Sequence, residues 1–384
     1  MTSAARNVAS GLEGVPVAET TLSWVDGAGG RLLIAGHDVE RLAGVSRFEA
    51  VAAELWAAEA EPPAADAVQR ALGQARADAF ARLPELASAL ELPTAMDALR
   101  AAVGTETERP RGSGEPLWLA AADLTGRCAV YAAAWARRRA GQFALEPDPA
   151  AGHAEDYLRA LRGAPAPSHL VRALETYLVT VADHGLNAST FAARVVASTG
   201  SDLVSAVTAA LGALKGPLHG GAPGPVLDML DAIGSAERAS DWLRAELAAK
   251  RRIMGMGHRV YRVRDPRAAV LEAALEKLRI ELTAQGASGD PIAERLALAH
   301  AVERTATALL TERHPHRALP ANVEFYTAIL LEAVGVPREL FSATFAVARI
   351  VGWTAHVEEQ RRTGRLIRPS SIYVGRFPER PDAA

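Results

Sequence analysis

The chain has 384 residues, of which 49% are hydrophobic and only 5% aromatic, and 42 basic against 45 acidic residues leave a net charge of −3. The near-neutral charge gives no basic field for nucleic acid, and the single cysteine, Cys128, excludes an internal disulfide framework and any CxxC metal or redox site. This length accommodates one large domain or two moderate ones. Because the apolar half is largely aliphatic and rich in alanine, which is the best helix former and is depleted in strands, the composition predicts an all-α protein.

The first predicted element is a small hairpin, in which Thr20–Ser23 pairs with Gly30–Ile34 around a turn at Val25-Asp26-Gly27. Clusters of proline and glycine then mark surface loops. They are Glu61–Pro63, Arg109–Pro116, Glu146–Pro149 and Gly163–Ser168. None is long or biased enough to be a disordered linker, so composition alone locates no domain boundary.

Helical periodicity dominates the second half of the chain. Gly200 is a C-cap candidate beside the N-cap candidate Asp202, which predicts two helices, Ala188–Thr199 and Leu203–Leu214. Two later segments repeat apolar residues at helical spacing. They are Leu271, Leu275, Leu278 and Leu282, and then Ile292, Leu296, Ala299, Val302 and Ala306.

No segment predicts export or membrane insertion. Met1–Gly14 lacks the apolar stretch of a signal peptide, and Glu332 interrupts the apolar run Ala328–Val336 well before the roughly 18–20 residues of a span. The sequence therefore predicts a cytoplasmic protein that does not enter the membrane.

Histidines next to glycines are the first candidates for chemistry. His184 lies in Asp183–Asn187, His219 follows Pro217-Leu218 and precedes two glycines, and His258 follows Gly257. Glycine lets the backbone approach a ligand closely and can expose N–H groups to a phosphate or an adenine.

Charged residues follow in the same half of the chain. Arg262 and Arg267 supply positive charge after His258, and Glu324 stands among apolar neighbours in Asn322–Tyr326. Taken singly, each of these residues is more commonly structural than catalytic.

Two other motif-based interpretations are weak. A dinucleotide fingerprint fails because GxGxxG would need glycine at Val260, and His314 and His316 flank Pro315 in what we expect to be a solvated loop. A zinc hydrolase is the more specific alternative, but the chain has no HExxH motif and the spacings between its possible ligands do not indicate a zinc site. Those ligands would be His184, His219, His258 and Glu324.

Six collinear segments, taken together, resemble one family. They are ADHGLNASTFAARV (182–195), GALKGPLHGGA (212–222), MGMGHRVYRVRDPRA (254–268), NVEFYTAIL (322–330), FAVARIVGWTAHVEEQ (345–360) and RLIRPSSIYVG (365–375). The chain is similar to the citrate synthase family in these motifs, from Gly11 onward and more loosely over residues 57–168. Its length resembles the compact dimeric type, and NVEF and GGAP resemble the branch called second citrate synthases.

The resemblance implies a multihelical fold with a large domain from residues 1–223 and 329–384 and a small domain from residues 224–328. It implies a Claisen condensation of acetyl-CoA with oxaloacetate, followed by thioester hydrolysis to citrate and CoA, the entry step of the tricarboxylic acid cycle. Closure of the small domain on oxaloacetate would build the thioester site and exclude water. Coenzyme A enters as substrate, so neither a cofactor nor a metal is implied.

The resemblance also assigns roles to residues. Glu324 takes the position of the base, His219 that of the donor to the enolate oxygen, and His258 that of the donor to the oxaloacetate carbonyl. The two carboxylates of oxaloacetate would be held by His184, Arg267, Arg349 and Arg368, the last from the other subunit of a homodimer. Coenzyme A would be bound by Ile253, Met254, Gly255, Met256, Gly257 and Arg262.

Three positions depart from the family pattern: Glu324 replaces the usual aspartate, Pro223 an asparagine and Ala35 an arginine. The extra methylene moves the carboxylate by roughly an ångström unless the neighbouring helix is shifted, and we expect such compensation because the other site positions match. Two alternatives stay open. One is a 2-methylcitrate synthase that uses propionyl-CoA, and the other is a catalytically weak regulatory protein that binds oxaloacetate or CoA.

Overall fold

The computed structural model describes residues 10–12, 14–57, 61–108, 116–219, 223–285 and 290–376. These ranges contain fifteen α-helices and one small sheet, which confirms the predicted all-α class. The α-helices are α1 (Val39–Leu42), α2 (Phe48–Trp56), α3 (Ala65–Arg82), α4 (Ala95–Gly104), α5 (Trp118–Arg139), α6 (His153–Arg162), α7 (Ser168–Thr180), α8 (Ala188–Ala197), α9 (Leu203–Leu214), α10 (Pro223–Ile233), α11 (Ala239–Ala248), α12 (Pro266–Ala284), α13 (Pro291–Arg313), α14 (Val323–Ala333) and α15 (Phe341–Thr363). Short 3-10 turns lie at Ser10–Leu12, Leu83–Leu86, Ala89–Glu91, Ala236–Arg238 and Arg338–Leu340.

The predicted N-terminal hairpin is present, but its first strand and its turn were placed wrongly, since Thr20–Ser23 shares only Ser23 with the strand that forms. Strand β1 (Ser23–Asp26) pairs antiparallel with β2 (Arg31–Ile34), and the turn occupies residues 27–30. The Asp26 carboxylate accepts the N–H groups of Ala28 and Gly29 at 3.0 and 2.8 Å, which extends β1 through Asp26 and closes the turn after it.

A third short strand, β3 (His37–Asp38), pairs with β2 and was not predicted. Ala35 and Gly36 form the connection, with φ of 49° and 82°. Positive φ at both central residues is the feature of the tight hairpin turns whose twist matches that of the strands. Ala35, one of the departures from the family pattern, therefore occupies a strained backbone position.

The two helices predicted around Gly200 are confirmed. α8 is capped by Asn187, α9 by Asp202, and α8 ends at Ala197, two residues before the predicted Thr199. The two later periodic runs lie in α12 and α13, as predicted.

The predicted loops are non-helical where the structure describes them, except that Ser168 is the first residue of α7. They are residues 61–63, 146–149 and 163–167, and Gly163 ends α6 in the left-handed conformation. Residues 109–115, Glu13 and the Gly220–Ala222 part of the second motif lie outside the described residues.

The core is organised around α5 and α15, which contact each other and most of the first nine helices. Trp135 of α5 and Trp353 of α15 are buried, and burial raises the pKa of the Cys128 thiol of α5. Gly352 brings α15 against the chain before α8, since a Cβ there would lie 2.5 Å from the Ala182 carbonyl oxygen. This close approach places α15 beside His184.

One helical stretch in the described ranges, Arg338–Arg362, is long and apolar enough to cross a membrane by length and composition. Of its most apolar window, 89% is buried inside the fold. The apolarity of this stretch is therefore that of an interior helix.

The helices from α10 to α14 form a second group of contacts. α11 packs on α13, both α10 and α12 pack on α14, and α12 also contacts α7. Pro223, the second departure from the family pattern, is the first residue of α10, a position that suits its fixed φ. The division into domains at 223 and 328 stays a prediction, and its second boundary lies inside α14.

Candidate active site

The candidate site lies where the loop between α7 and α8, the loop between α11 and α12 and the N-terminus of α14 meet the side of α15. Five residues from these four places interact electrostatically with one another. They are His184, His258, Arg267, Glu324 and Arg349.

Two of the predicted histidines form a cluster with a tyrosine. The ring centroids of His184 and His258 lie 5.6 Å apart at an interplanar angle of 78°. Tyr261 contacts both rings, and its hydroxyl lies 3.2 Å from His184 Nε2. Burial, together with Arg267 and the neighbouring His258, keeps the pKa of His184 well below its usual range, so its imidazole is neutral at pH 7.

The tautomer of His258 is determined by its own loop. Nδ1 accepts the backbone N–H groups of Val260 and Tyr261 at 3.0 and 3.1 Å, so the ring proton is on Nε2. Burial and the charge of Arg267 lower the pKa of His258 to about 4. At neutral pH His258 therefore offers one N–H donor from a neutral ring.

His219 is held by the first turn of α8. Its Nε2 lies 2.8 Å from Ser189 Oγ and accepts the Ser189 backbone N–H at 3.3 Å, so in the neutral ring the proton is on Nδ1. Ser189 Oγ also accepts the indole N–H of Trp353 at 3.1 Å. Burial, followed by the charge of Arg349, lowers the pKa of His219 to about 4.

Glu324 stands in the first turn of α14. The side chain of Asn322 caps this helix by accepting the Glu324 N–H at 3.0 Å, and its amide donates to the Gly257 carbonyl at 2.9 Å. The carboxylate oxygen Glu324 Oε2 is buried and, within the described part of the chain, has no hydrogen-bond partner.

The environment of Glu324 makes its carboxyl a weaker acid. Burial raises the pKa of Glu324 to about 7, although Arg267 and Arg349 oppose this change, and the charge of Asp265 adds to it. A carboxylate with this pKa and a free buried oxygen suits a general base at neutral pH.

Two buried arginines differ in how they are paired. Arg267 makes a bidentate contact with Asp265, at 3.0 Å from Nε to Oδ1 and 2.7 Å from Nη2 to Oδ2. Arg349 donates from Nε to the Val181 carbonyl at 2.6 Å and stacks on Phe345, but among the described residues its buried Nη2 has no partner. Burial and the charge of Arg267 lower the pKa of Arg349 to about 10, although Asp183 acts in the opposite direction.

A buried polar network supports the residue next to His184. Burial alone would raise the pKa of Asp183, but His356, Arg349 and the 2.5 Å hydrogen bond from Ser23 hold it at about 2. His356 then contacts Arg194, which pairs with Glu359. This network joins β1, α8 and α15 at the site.

The predicted coenzyme A loop is joined to the helix of Glu324. Met256 forms a β-bridge with Ala321, and the Gly257 N–H is donated to the Pro320 carbonyl at 2.7 Å. That N–H is therefore used inside the protein and is not free for a ligand. Gly255 has φ of 72°, and a Cβ there would lie 2.8 Å from the ring of Phe325, so this loop tolerates no side chain at that position.

The remaining members of that loop differ in exposure. Ile253 and Met256 are buried, Met254 is half-buried, and Arg262 is exposed while its backbone N–H donates to the Gly27 carbonyl at 2.7 Å. A ligand can therefore reach the guanidinium of Arg262 but not the side chain of Ile253.

Within the described chain, Arg368 has no hydrogen bond or ion pair with the other predicted site residues. It lies in an exposed extended segment after α15, whose backbone is tied to Ser198 by the Ile367 N–H at 3.0 Å.

The zinc alternative has little support in the geometry. In the described ranges, no group of three His, Cys, Asp or Glu side chains could hold a metal ion. His219 Nε2 and His258 Nδ1 already accept backbone N–H groups, which leaves each ring one nitrogen that carries a proton.

Sequence reasoning missed four residues that shape the site. Ser189 and Asn322 carried a usable signal, because Ser189 stands at the start of the predicted helix Ala188–Thr199 and Asn322 is a residue type that caps helices. Tyr261 and Asp265 carried none, since their partners could be assigned only after folding. Asp265 also caps α12 by accepting the Arg267 N–H.

The chain was compared with protein families and with curated proteins. A family model described as "Citrate synthase, C-terminal domain" matches residues 11–370. A curated relative from Mycobacterium tuberculosis H37Rv, named "Putative citrate synthase 2", is 47% identical over 222 residues, which is 58% of this chain and 56% of the relative. The match thus spans little more than half of that relative. The "Citrate synthase" of Haloferax volcanii is 38% identical over 378 residues, 95% of each chain.

A solved structure is similar over nearly the whole chain. It is the ternary complex of carboxymethyl coenzyme A and oxaloacetate with the citrate synthase of Thermoplasma acidophilum, with a TM-score of 0.84 and 28% identity. The similarity covers 97% of this chain and 98% of that one.

Proposed function

Because the chain belongs to the citrate synthase family, we propose that it is a citrate (Si)-synthase-type transferase that condenses acetyl-CoA with oxaloacetate to citrate and CoA. The observation that carries the proposal is the cluster of the neutral histidines His184 and His258 with one carboxylate and one guanidinium. Among the described residues, Glu324 Oε2 and Arg349 Nη2 are buried without a hydrogen-bond partner. A Claisen condensation of a thioester with a dianion requires these groups: a base, uncharged hydrogen-bond donors and a buried cation.

In the first step, Glu324 takes a methyl proton from acetyl-CoA. His219 donates its Nδ1–H to the thioester oxygen, on which negative charge develops. Support comes from the raised pKa of Glu324, which makes its carboxylate a better base, and from the contact of His219 Nε2 with Ser189, which leaves Nδ1–H as the donor. A neutral donor avoids a competing proton transfer from an imidazolium ion.

In the second step, the enol carbon attacks the ketone carbon of oxaloacetate. His258 donates its Nε2–H to the ketone oxygen and neutralises the alkoxide as the carbon–carbon bond forms. Water then hydrolyses the thioester of citryl-CoA, which releases citrate and CoA. Support comes from the two backbone N–H groups on His258 Nδ1, which orient this donor.

The carboxylates of oxaloacetate are bound by His184, Arg267 and Arg349 in this proposal. A guanidinium grips a carboxylate through two parallel hydrogen bonds, and the buried Arg349 has a nitrogen available for one. Coenzyme A binds at Ile253–Gly257 and Arg262. Because this loop is bonded to the cap of α14, coenzyme A binding and the position of Glu324 are coupled.

The proposed assembly is a homodimer in which Arg368 of each chain completes the site of the other. The segment after α15 supports it, because Leu366, Tyr373 and Val374 are 58%, 62% and 92% exposed in the single chain. Exposed apolar residues of this kind suit a surface that a second copy covers. The same proposal includes closure of the small domain, residues 224–328, a role in the tricarboxylic acid cycle and a cytoplasmic location.

The direct test is CoA release from purified protein, followed with a thiol reagent. We expect release from acetyl-CoA only when oxaloacetate is present, with citrate formed in equal amount. Propionyl-CoA and butyryl-CoA serve as comparison substrates at matched concentration.

Each outcome of this test selects one function. A higher kcat/KM for propionyl-CoA than for acetyl-CoA replaces the proposal by 2-methylcitrate synthase, since one methylene in a pocket changes specificity by only about 1–3 kcal/mol. No release from any of the three thioesters, with oxaloacetate still bound in calorimetry, replaces it by a regulatory binding protein.

The pH profile of kcat/KM for oxaloacetate should fall on the acid side with an apparent pKa of about 7. Glu324 must be ionised to act as a base, and its pKa is raised to about 7, so activity drops about tenfold per unit below that value. His219 and His258 have pKa values of about 4 and stay neutral over this range.

Circular dichroism at each pH serves as the control for unfolding. A flat profile between pH 5.5 and 8 in folded protein would contradict the assignment of Glu324 as the base.

A further inference from the structure

The N-terminal hairpin reaches the candidate site, and the proposed mechanism gives it no role. The chain before β1 is fixed to α15, because the Thr21 N–H donates to the Glu359 carboxylate at 2.9 Å. From there the hairpin bonds to two loops, the one that carries His184 and the one that carries His258. In each loop it contacts the backbone close to the histidine.

Ser23 of β1 bonds to the residues on both sides of His184. The Gly185 N–H donates to Ser23 Oγ at 2.8 Å, and the Ser23 hydroxyl donates to Asp183 Oδ2 at 2.5 Å. The Gly185 N–H also lies 3.3 Å from the same carboxylate oxygen. This N–H belongs to the planar peptide unit that begins at the carbonyl of His184. Ser23 therefore fixes the backbone from which the His184 ring projects.

The carboxylate that receives the Ser23 hydroxyl is itself held in place. Asp183 is fully buried, and its Oδ2 lies 3.3 Å from His356 Nε2. His356 Nδ1 lies 3.0 Å from Arg194 Nη1, which can only donate, so the His356 ring has its proton on Nε2 and donates it to Asp183. The hydroxyl of Ser23 thus bonds to a group that α8 and α15 already immobilise.

The tip of the hairpin contacts the loop of His258. The Gly27 carbonyl accepts the Arg262 N–H at 2.7 Å, and a Cβ on Gly27 would lie 2.4 Å from the Val260 carbonyl oxygen. That oxygen and the Tyr261 N–H belong to one planar peptide unit. The Tyr261 N–H donates to His258 Nδ1 at 3.1 Å. A displacement of the Val260 carbonyl would therefore move a donor that orients the His258 ring.

We propose that the N-terminal hairpin is a positioning element of the site, in which Ser23 orients His184 and Gly27 orients His258, each through one peptide unit. The two rings lie 5.6 Å apart on loops that are distant in sequence. One hairpin bonded to both loops fixes their separation. The consequence for catalysis rests on the proposed function, whereas the positions of the two loops do not.

Ser23→Ala tests the contact with the loop of His184. It removes the acceptor of the Gly185 N–H and the donor to Asp183 without adding volume. We expect exchange of the Gly185 amide hydrogen, followed by NMR in the full-length protein, to become about tenfold faster. Unchanged exchange overturns the inference.

Steady-state kinetics of the same variant separate positioning from stability. KM for oxaloacetate should rise roughly tenfold with a smaller change in kcat, because His184 binds a carboxylate of oxaloacetate in the proposed function. A lower Tm with unchanged KM would make Ser23 a structural residue and overturn the inference.

Gly27→Ala tests the contact with the loop of His258. The added methyl group would meet the Val260 carbonyl, which is backbone and can yield only if the loop moves. We expect faster exchange of the Tyr261 amide hydrogen and a kcat lowered by about 10²-fold, because His258 donates to the ketone oxygen in the proposed function. Wild-type exchange at Tyr261, or a wild-type kcat, overturns the inference.

Ser205→Ala and Gly104→Ala are the matched controls. The Ser205 hydroxyl donates to the Asp202 carboxylate at 2.8 Å in the first turn of α9, and a Cβ on Gly104 at the end of α4 would meet nothing within 4 Å. Neither variant should change the two exchange rates, kcat or KM. A wild-type protein without turnover on any thioester would overturn the proposed function, and the exchange rates would still decide whether the hairpin fixes the two loops.

Discussion

Glu324→Gln is expected to lower kcat by about 10³-fold or more while oxaloacetate still binds with nearly unchanged affinity. Glutamine has almost the shape of glutamate but cannot accept a proton at neutral pH, and general base catalysis contributes about 10²–10⁴-fold. The Glu324 carboxylate interacts electrostatically with Arg267 and Arg349 but forms no ion pair with a described residue. Its neutral replacement therefore leaves the proposed anion site intact. Turnover and calorimetric oxaloacetate binding measure the two effects separately.

Glu332→Gln is the matched control for this variant. Glu332 lies on the same helix, but its carboxylate pairs with Arg295 at 3.0 Å and with Arg338 on the protein surface. Its loss should reduce stability slightly and leave kcat unchanged. Turnover retained by Glu324→Gln would show that another group is the base.

Glu324→Asp tests how the site accommodates the longer side chain. If the position of α14 compensates for the extra methylene, aspartate withdraws the carboxylate by roughly an ångström and kcat should fall by about 10²-fold. The cap of α14 favours this result, because Asn322 bonds to the loop at Gly257 and fixes the start of the helix. A rise in kcat would mean that glutamate is a poor fit and that the helix is not adjusted to it.

Local signals explain which parts of the fold the sequence could predict. Asn187 and Asp202 cap α8 and α9 through side chains two or three residues from their targets, so the helix starts follow from adjacent residues. The hairpin turn was misplaced although its signal is equally local, because Asp26 was placed inside the turn, whereas its carboxylate accepts the N–H groups of Ala28 and Gly29 and closes the turn after it. The two-residue strand β3 is too short to leave any periodic pattern.

The sequence predicted which residue types form the site but not the pKa values of their side chains. The motifs located His184, His258 and Glu324, and the structure brings them together. The pKa of Glu324 depends on burial created by helices far apart in sequence, so no local pattern could predict its value. The contact of Tyr261 with His184 joins residues 77 positions apart, which is why the tyrosine remained unassigned.

The role predicted for Arg368 is not explained by a single chain. The sequence motif assigns it to the oxaloacetate site, yet the described chain leaves it in an exposed segment after α15. The proposed homodimer reconciles the two statements, since the exposed apolar residues beside Arg368 would then face a second copy.

Arg349 is buried at a cost to stability that a substrate dianion would offset. Its folded-state pKa of about 10, against an ordinary 12.5, corresponds to about 3 kcal/mol of unfavourable burial of the charged form at neutral pH. Within the described residues no carboxylate lies in ion-pair contact with it, although Asp183 is near enough to interact. Sites that bind charged ligands commonly keep such unfavourable burial for the sake of function.

Arg349→Met is therefore expected to change stability and substrate binding in opposite directions. Methionine fills much of the same volume, packs against Phe345 and removes the buried charge, so Tm should rise by a few degrees despite the lost hydrogen bond to the Val181 carbonyl. KM for oxaloacetate should rise about 10²-fold, because a charge-assisted hydrogen bond contributes about 1.5–3 kcal/mol. Calorimetric unfolding and initial rates measure the two changes.

Arg127→Met is the control that makes the sign of the stability change informative. Arg127 is also buried, but it pairs with Asp123 at 3.0 Å and with Glu106 at 3.4 Å, so its removal takes a cation away from two carboxylates. Because two ion pairs are lost, we expect this variant to lower Tm and to leave KM for oxaloacetate unchanged. If Arg349→Met behaved in the same way, Arg349 would be a structural arginine and the cation that binds oxaloacetate would lie elsewhere. Opposite signs in the two variants would instead mean that the charge of Arg349 is retained for its ligand.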